Sequence, residues 1–447
     1  MMLFRAGASS EAFAATATPA TETAFRGVRP ASRATELDVL LLDGEHRQTL
    51  AALRTYARAG LRAGAVAGQS DADWAPSLRS RLCTLGASVP DLGSDAERYV
   101  EAILDLLDQH PTRVLLAAHD GSIQALRLRR ADIERRTALP LASEAALDIA
   151  VDKTRTLSLA ADLGVAVPVT VSLNDMDDIA PAMREVGFPA VLKPDASWVV
   201  RDGRGVRLSP NVVQTVDEAR RTFAHVLEEG GRALMQQFLP GRREAVSLFY
   251  ARRRFWGRLA QVSYREWPVL GGASVFCETI PLLPDITADA ERLVRAMDLE
   301  GCSMVEFRRD REGRPVLMEV NPRMGGSVGL AIAAGVNFPR MLYAWALGET
   351  LQQTHEYRIG ARLRWLAGDV WNLKCAFEMQ GHPDIPSRSK ATRTFLLDFL
   401  RPAVTLDGLD LADMYPALAE VNKIVFQHGL RRLRQVLWPA RTHNSER

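Results

Sequence analysis

The chain has 447 residues, a quarter of them charged, and a formal net charge of +2. Because domains usually run to about 100–200 residues, this length predicts two or three structural units. The near-neutral charge excludes a bulk electrostatic attraction to nucleic acid or to an anionic membrane, so small-molecule substrates are expected. The four cysteines lie far apart without a CxxC pair, which favours a reducing cytoplasm over a disulfide framework or a metal knuckle. They are Cys83, Cys277, Cys302 and Cys375.

The apolar stretches of the chain are shorter than the ~20 residues that a membrane-spanning helix needs. We therefore expect no transmembrane segment and no membrane partner. Residues 1–35 are rich in Ala and Thr and lack the apolar core of a signal peptide. We interpret them as a disordered extension.

Residues 36–140 alternate short apolar runs with segments of helical periodicity. Strands are predicted at 38–42, 64–68 and 113–118, with helices between them. Strands that alternate with helices predict a small parallel α/β domain. The third strand ends at His119-Asp120-Gly121, where parallel units place ligands, although a plain turn would read the same way.

The next region changes from helix to mixed structure. A helical stretch is predicted at 141–163, with Gly164 as its stop and Asp152 as a cap within it. Strands follow at 190–193 and 232–239. Thr215 and Glu218 have the spacing of a capping box, which predicts that a helix begins between these two strands.

Two antiparallel hairpins are predicted downstream. Extended segments within 244–262 flank the basic turn Arg252-Arg253-Arg254, and the segments 303–309 and 315–320 flank a second turn. A helix at 287–299, closed by Gly301, separates the hairpins. We expect 351–447 to be a C-terminal extension, with an amphipathic helix near 415–433 and no recognisable chemistry.

Three oxygen-bearing side chains converge on the second hairpin. Glu306 and Glu319 come from neighbouring strands across a short turn, while Glu319 and Asn321 share a face through the two-residue strand period. Two carboxylates side by side repel each other unless a cation lies between them, and oxygen ligands suit Mg²⁺. Arg323 follows and could hold a carboxylate or a phosphoryl group. A solvated hairpin face is the structural alternative.

The run Glu319-Val320-Asn321-Pro322-Arg323, followed by Gly325-Gly326-Ser327, resembles the metal-binding end of the ATP-grasp superfamily, including its carboxylate-amine ligases. The resemblance implies a multidomain α/β and α+β architecture. In it, the parallel α/β domain precedes an ATP-grasp domain at 141–350. It also implies ATP and Mg²⁺ (or Mn²⁺) as cofactors.

The resemblance further implies two lysines that neutralise the nucleotide phosphates. Lys153 lies ahead of a helical segment, and Lys193 closes the run Phe188-Pro189-Ala190-Val191-Leu192-Lys193, which is similar to the second lysine strand of the superfamily. Each lysine alone could be a surface residue. Their order and spacing favour the phosphate-binding interpretation.

The segment 235–241 resembles the strand of the superfamily that meets adenine. Gln236 and Gln237 stand where an acidic residue is common, and the backbone of Gln237 and Leu239 could recognise the purine. Glu244 is similar to the ribose-binding carboxylate. A buried sheet element is the structural alternative for this segment.

Two further features follow from the resemblance. The loop expected to close over the phosphates contains Ser197, Gly203 and Gly205 but few other small residues, so Arg201 or Arg204 would substitute, or the loop is an ordinary surface turn. Arg265 precedes Gly271-Gly272-Ala273-Ser274, and the resemblance suggests a catalytic role for it on the substrate side. A surface charge is the alternative for Arg265.

The implied reaction is ATP-dependent ligation: a carboxylate is activated as an acyl phosphate and joined to an amine, with small-molecule substrates, ADP and phosphate. Two alternatives remain open from the sequence. One is an ATP-binding protein without ligase activity. The other is a carboxylase or kinase-like member of the same superfamily, because the ATP site does not specify the acceptor.

Overall fold

The computed structural model describes residues 36–201, 203–380 and 384–421. The predicted extension at 1–35, and the part of the predicted C-terminal helix after 421, lie outside these ranges; residues 415–421 are helical. The described residues form a four-stranded parallel sheet, a four-stranded antiparallel sheet, a seven-stranded sheet that is antiparallel except for its last pair of strands, and a small hairpin. The mixed α/β class expected from the sequence is confirmed.

The first unit is a four-stranded parallel sheet with order β3-β2-β1-β4. Its strands are β1 (Leu37–Leu41), β2 (Ala63–Gly68), β3 (Leu85–Val89) and β4 (Thr112–Leu116). Its helices are α1 (Arg47–Arg58), α2 (Pro76–Arg79), α3 (Ala96–Gln109), α4 (Asp120–Leu128) and α5 (Arg130–Glu134). The sequence missed β3, because this edge strand reads Leu-Gly-Ala-Ser-Val and lacks an apolar run.

Two helices connect this unit to the rest of the chain: α6 (Glu144–Ala150) and α7 (Lys153–Asp162). The single predicted helical stretch is therefore broken. The break follows from the Asp152 side chain, which accepts a hydrogen bond from the backbone N–H of Arg155 and starts a new helix. As a result, Lys153 is the first residue of α7.

The middle unit is an antiparallel sheet with order β5-β10-β6-β9 and an attached hairpin, β7–β8. Its strands are β5 (Thr170–Leu173), β6 (Ala190–Pro194), β7 (Trp198–Arg201), β8 (Arg204–Arg207), β9 (Asn211–Val213) and β10 (Ala233–Gln237). Its helices, α8 (Ile179–Val186) and α9 (Val216–Glu228), pack their apolar residues with Ala233 and Met235 on one face of the sheet. Residues that alternate with these two point to the other face.

The third unit is a seven-stranded sheet with order β15-β14-β11-β12-β13-β16-β17. Its strands are β11 (Arg243–Ala251), β12 (Arg254–Trp267), β13 (Ala273–Ile280), β14 (Gly301–Arg309), β15 (Pro315–Asn321), β16 (Arg362–Arg364) and β17 (Val404–Leu406). Its helices are α10 (Pro284–Met297), α11 (Val328–Ala334), α12 (Phe338–Ala346), α13 (Leu366–Glu378) and α14 (Arg388–Leu397). Both predicted hairpins, β11–β12 and β14–β15, are confirmed.

One predicted helix end was wrong. Helix α10 ends at Met297, and Asp298 at φ 49° supplies the left-handed stop, whereas Gly301 begins β14. Asp is one of the few residues with a side chain that tolerates this conformation.

Charged contacts join α1 to the late part of the chain. Arg47 donates to Asp407 at 3.0 Å, and Arg54 donates to the Asp413 carboxylate at 2.9 Å. Arg54 and Asp413 are 7% and 1% exposed. The first unit is thus tied to the segment that follows β17.

A buried charged cluster fixes α13 and α14 to the sheet. Arg364 Nε donates to Asp369 at 2.7 Å, and two nitrogens of Arg265 donate to the same carboxylate at 2.6 and 2.7 Å. The third Arg265 nitrogen donates to Asp398, and Phe395 lies with its ring centroid 4.4 Å from the Arg364 guanidinium carbon. Arg364 and Asp369 are both 0% exposed.

Replacing Asp369 by Ala is therefore expected to lower the free energy of unfolding by about 3–5 kcal/mol, because it leaves a buried guanidinium without its carboxylate. Equilibrium urea unfolding measures this loss. The matched control is Asp289→Ala, which breaks a more exposed pair with Arg292 on α10 and should cost at most about 1 kcal/mol. Equal losses in the two variants would contradict the expectation.

Among the described residues, no helix has both the length and the apolar character needed to cross a bilayer.

Candidate functional site

The predicted carboxylate cluster forms on the β14–β15 hairpin. Glu306 and Glu319 are direct partners across the strands, and Asn321 is paired with Met304 two residues further on, so the three polar side chains share a face. Glu306 is 5% and Asn321 8% exposed. In the described part of the chain, no three or more His, Cys, Asp or Glu side chains group as a metal site; this cluster has two carboxylates and one amide.

The electrostatics of the two carboxylates differ. Burial opposes ionisation of Glu319, but the charges of Lys153 and Lys193 and a hydrogen bond from Asn321 outweigh it and lower the pKa of this carboxyl. Burial raises the pKa of Glu306, and the charge of Glu319 adds to the rise. A divalent cation would relieve this repulsion, and the carboxylate and amide oxygens fit the preference of Mg²⁺ for hard oxygen ligands.

An arginine that the sequence analysis missed holds Glu306 in place. Arg243, at the start of β11, donates to Glu306 at 3.1 Å and pairs with Glu266 at 3.2 Å. Ala245 is the strand partner of Glu306, and Arg243 lies two residues from Ala245, so it shares that face. The two-residue strand period alone could have indicated Arg243, whereas the resemblance assigns a role to its neighbour Glu244.

Both predicted lysines lie close enough to Glu319 to act on its charge. Lys153 Nζ donates to Ser197 Oγ at 3.2 Å, and Lys193 on β6 is 7% exposed. Asp195 links the two elements, because its carboxylate accepts from the backbone N–H and the hydroxyl of Thr154. The start of α7 and the end of β6 are therefore held together.

Burial lowers the pKa of Lys193 to about 8, and the charge of Lys153 adds to the fall while Glu319 opposes it. Phosphate binding favours the protonated amine, so nucleotide binding should take up a proton near this pH. Affinity for MgADP is expected to weaken as pH rises through about 8, by up to about tenfold per pH unit. Calorimetry in buffers of different ionisation enthalpy measures both effects. Lys193→Arg should remove the dependence; wild-type affinity that stays constant through this window would contradict it.

The first three residues of the predicted adenine segment, 235–237, lie at the end of β10. Leu234 is the strand partner of Lys193, so Gln236 lies on the same sheet face two residues away. Gln236 Nε2 donates to Thr170 at 3.2 Å, while its Oε1 is buried and has no hydrogen-bond partner among the described residues. An unsatisfied buried acceptor fits the exocyclic amine of adenine.

The other predicted nucleotide contacts are placed less favourably. The backbone N–H of Gln237 already donates to Val169 O at 2.9 Å, and Leu239 is 3% exposed. Glu244 is the strand partner of Phe307, on the face opposite the carboxylate cluster, and it pairs with Arg309 at 2.9 Å.

Of the two arginines predicted as catalytic, only Arg323 reaches the cluster. It donates to both oxygens of Asp120 at 2.5 and 2.8 Å and to Asn321 Oδ1 at 3.2 Å. Asp120, the first residue of α4, was missed as a partner, although its position after β4 was noted. Arg265 does not join the cluster, because its guanidinium is held by Asp369 and Asp398.

A cavity of about 90 Å³ lies at the meeting point of these elements. It is lined by residues of α4, of α6 and α7, of the segment that leads into β7, and of β15. The polar residues among them are Asp120, Gln124, Lys153, Thr156, Ser197, Trp198, Glu319 and Asn321. The first, middle and third units therefore all contribute to one site.

Comparison with known proteins also finds likeness to ATP-grasp proteins. A family model described as "ATP-grasp in the biosynthetic pathway with Ter operon" matches residues 273–368. A D-alanine–D-alanine ligase of Nitrosospira multiformis is 24% identical over 271 residues, which are 55% of this chain and 81% of the relative. A biotin carboxylase complex from Campylobacter jejuni superposes with a TM-score of 0.59 at 16% identity, covering 73% of this chain and 74% of the other. The chain therefore has the ATP-grasp fold, and part of its sequence resembles an ATP-grasp family.

A second structural neighbour is an amino-acid ligase. The L-amino acid ligase from Bacillus licheniformis has a TM-score of 0.51 and 15% identity, and the match covers 71% of this chain and 75% of the other. At these identities the structural likeness supports the ATP-grasp fold.

The loop that was expected to close over phosphates is the β7–β8 hairpin and the segment before it. Its polar residues at the cavity are Ser197 and Trp198. Arg201 and Arg204, the two cationic substitutes considered from the sequence, are exposed. Among described residues of the loop, the cavity wall thus carries a hydroxyl and an indole.

Proposed function

We propose that this protein is an ATP-dependent ligase that activates a carboxylate as an acyl phosphate and joins it to an amine, releasing ADP and phosphate. The observation that carries the proposal is that Lys153, Glu319 and Asn321 line one cavity although they come from separate elements. The charges of Lys153 and Lys193 both act on Glu319, and Arg323 donates to Asn321. The D-alanine–D-alanine ligase and L-amino acid ligase relatives support the same class of reaction.

In this proposal, Glu306, Glu319 and Asn321 would hold Mg²⁺ (or Mn²⁺), which offsets phosphate charge when bound. Lys153 and the protonated form of Lys193 present positive charge to the nucleotide phosphates, and Gln236 presents its unpaired amide oxygen to adenine. These groups are positioned before the reaction, so they need little reorganisation during it.

Arg323 holds the reacting group. Asp120 fixes its guanidinium through two hydrogen bonds, which leaves a planar cation oriented beside Asn321. A substrate carboxylate oxygen attacks the γ-phosphorus as the bond to ADP breaks. The amine then attacks the acyl carbon, loses a proton and displaces phosphate. Positioning and charge neutralisation supply most of the rate enhancement.

The test is ADP release by purified protein with Mg²⁺ and ATP, screened over amino-acid and short-peptide pools, with Glu319→Ala as control. ADP formation that requires both a carboxylate and an amine, and is lost in the control, supports the ligase. ADP formation that depends on bicarbonate or on a single acceptor instead identifies another ATP-grasp reaction. Tight ATP binding without turnover identifies a binding protein.

A further inference from the structure

Trp198 packs its side chain against Gly121 and His119 of the first unit. It is the first residue of β7, and its indole lies directly over Gly121, the second residue of α4. A Cβ added to Gly121 would come 2.6 Å from indole Cε2, so only glycine leaves room for the ring. The ring also meets His119 edge to face, with centroids 5.9 Å apart.

Backbone hydrogen bonds hold the β7–β8 hairpin in this place. The N–H of Ala96 donates to Gly203 O at 2.8 Å, and the N–H of Gly205 donates to Leu92 O at 3.1 Å. A Cβ on Gly205 would come 2.9 Å from both Leu92 O and Trp198 Cζ3. The hairpin therefore spans from the middle unit to the first unit, with the indole beneath it.

The indole N–H of Trp198 is a buried donor that lacks an acceptor among the described residues. The same side chain lines the cavity together with Lys153, Ser197, Glu319 and Asn321. Buried donors in native proteins are nearly always paired, so an orphan at a cavity wall indicates a ligand that supplies the acceptor. Lys153 lines the same cavity, and its positive charge favours an anionic oxygen as the acceptor.

We propose that the Trp198 indole N–H donates a hydrogen bond to a phosphate oxygen of the nucleotide bound beside Lys153 and Glu319. This inference rests on the ATP binding that the proposed function requires. The loop has few small residues whose backbone amides could reach a phosphate. In this proposal, the Trp198 side chain supplies such a contact instead. The indole ring packs closely against Gly121 and Gly205, so its N–H is positioned before the nucleotide binds.

The test uses the full-length protein and two probes, MgADP and adenosine. Trp198→Phe removes the N–H and keeps an aromatic ring over Gly121. The expected result is at least about a tenfold loss of MgADP affinity, as for a hydrogen bond to a charged group, with adenosine affinity unchanged. Trp256→Phe is the matched control, because the Trp256 indole donates to Ala251 O on another hairpin.

A second readout separates a hydrogen bond from mere packing. In a ¹⁵N-indole spectrum, the signal missing from Trp198→Phe identifies Trp198, and this signal should shift on addition of MgADP but not of adenosine. Wild-type protein that binds MgADP with an unmoved Trp198 signal and an unchanged variant affinity would overturn this inference alone. Wild-type protein that binds no nucleotide would overturn the proposed ligase function together with it.

Discussion

Replacing Glu319 by Gln is expected to reduce ATP-dependent turnover by about a thousandfold, because the proposed metal ion would lose a charged ligand and with it several kcal/mol of charge stabilisation. The positive charges of Lys153 and Lys193 both lower the pKa of the Glu319 carboxyl. Gln keeps the shape and the hydrogen bond with Asn321 but removes the negative charge. ADP formation under saturating substrates measures the change, and the Mg²⁺ concentration for half-maximal rate should rise.

The matched control is Glu291→Gln on α10, where the carboxylate pairs with Arg258 and Arg295 away from the cavity. It should leave ADP formation unchanged. Circular dichroism and thermal unfolding show whether both variants remain folded. A folded Glu319→Gln variant with wild-type turnover and Mg²⁺ dependence would contradict the assignment of Glu319 as a metal ligand.

The second large effect is expected for Arg323→Lys, which should lower turnover by about a hundredfold while the charge is conserved. The lysine ammonium cannot reproduce the two-point contact that the guanidinium makes with Asp120. The cationic group at this position, which we propose holds the reacting phosphoryl or carboxylate group, therefore loses its fixed orientation. Steady-state kinetics should show the loss mainly in kcat, with MgADP affinity little changed.

Two further variants test this explanation. Arg314→Lys changes an exposed arginine on the β14–β15 turn that pairs with Asp310, and it should behave as wild type. Asp120→Asn keeps Arg323 but weakens its anchor, so turnover should fall to an intermediate value, within the roughly 10–100-fold range seen for residues that orient a site. If Asp120→Asn were fully active, the positioning role of Asp120 would be wrong.

The sequence predicted the parts of the fold that depend on local pattern. Both hairpins, the Asp152 cap and the cluster of Glu306, Glu319 and Asn321 follow from turns, caps and the strand period. Local pattern failed at β3, where an edge strand of small residues has no periodic signal. It also failed at α10, where an Asp took the left-handed role expected of Gly301.

Contacts between distant segments could not be predicted from the pattern. Asp120 and Arg323 are 203 residues apart, and only the packing of the first unit against the third brings them together. Arg265 is a second example: the predicted extended segments ended at 262, and its partners Asp369 and Asp398 lie in α13 and just after α14. The face of a strand that a side chain occupies depends on what packs there, and a single sequence does not show this.

The charged contacts between α1 and the late segment bear on the order in which the protein can be completed during synthesis. Arg54 and its partner Asp413 are 359 residues apart, a separation that a ribosome adding about 5–20 residues per second covers in roughly 20–70 s. Throughout that interval, the Arg54 guanidinium, which is buried in the folded protein, must remain in contact with solvent or with a chaperone. The contact that ties down α1 can therefore form only after the segment around Asp413 has been translated, and the surface around α1 remains open to proteases until then.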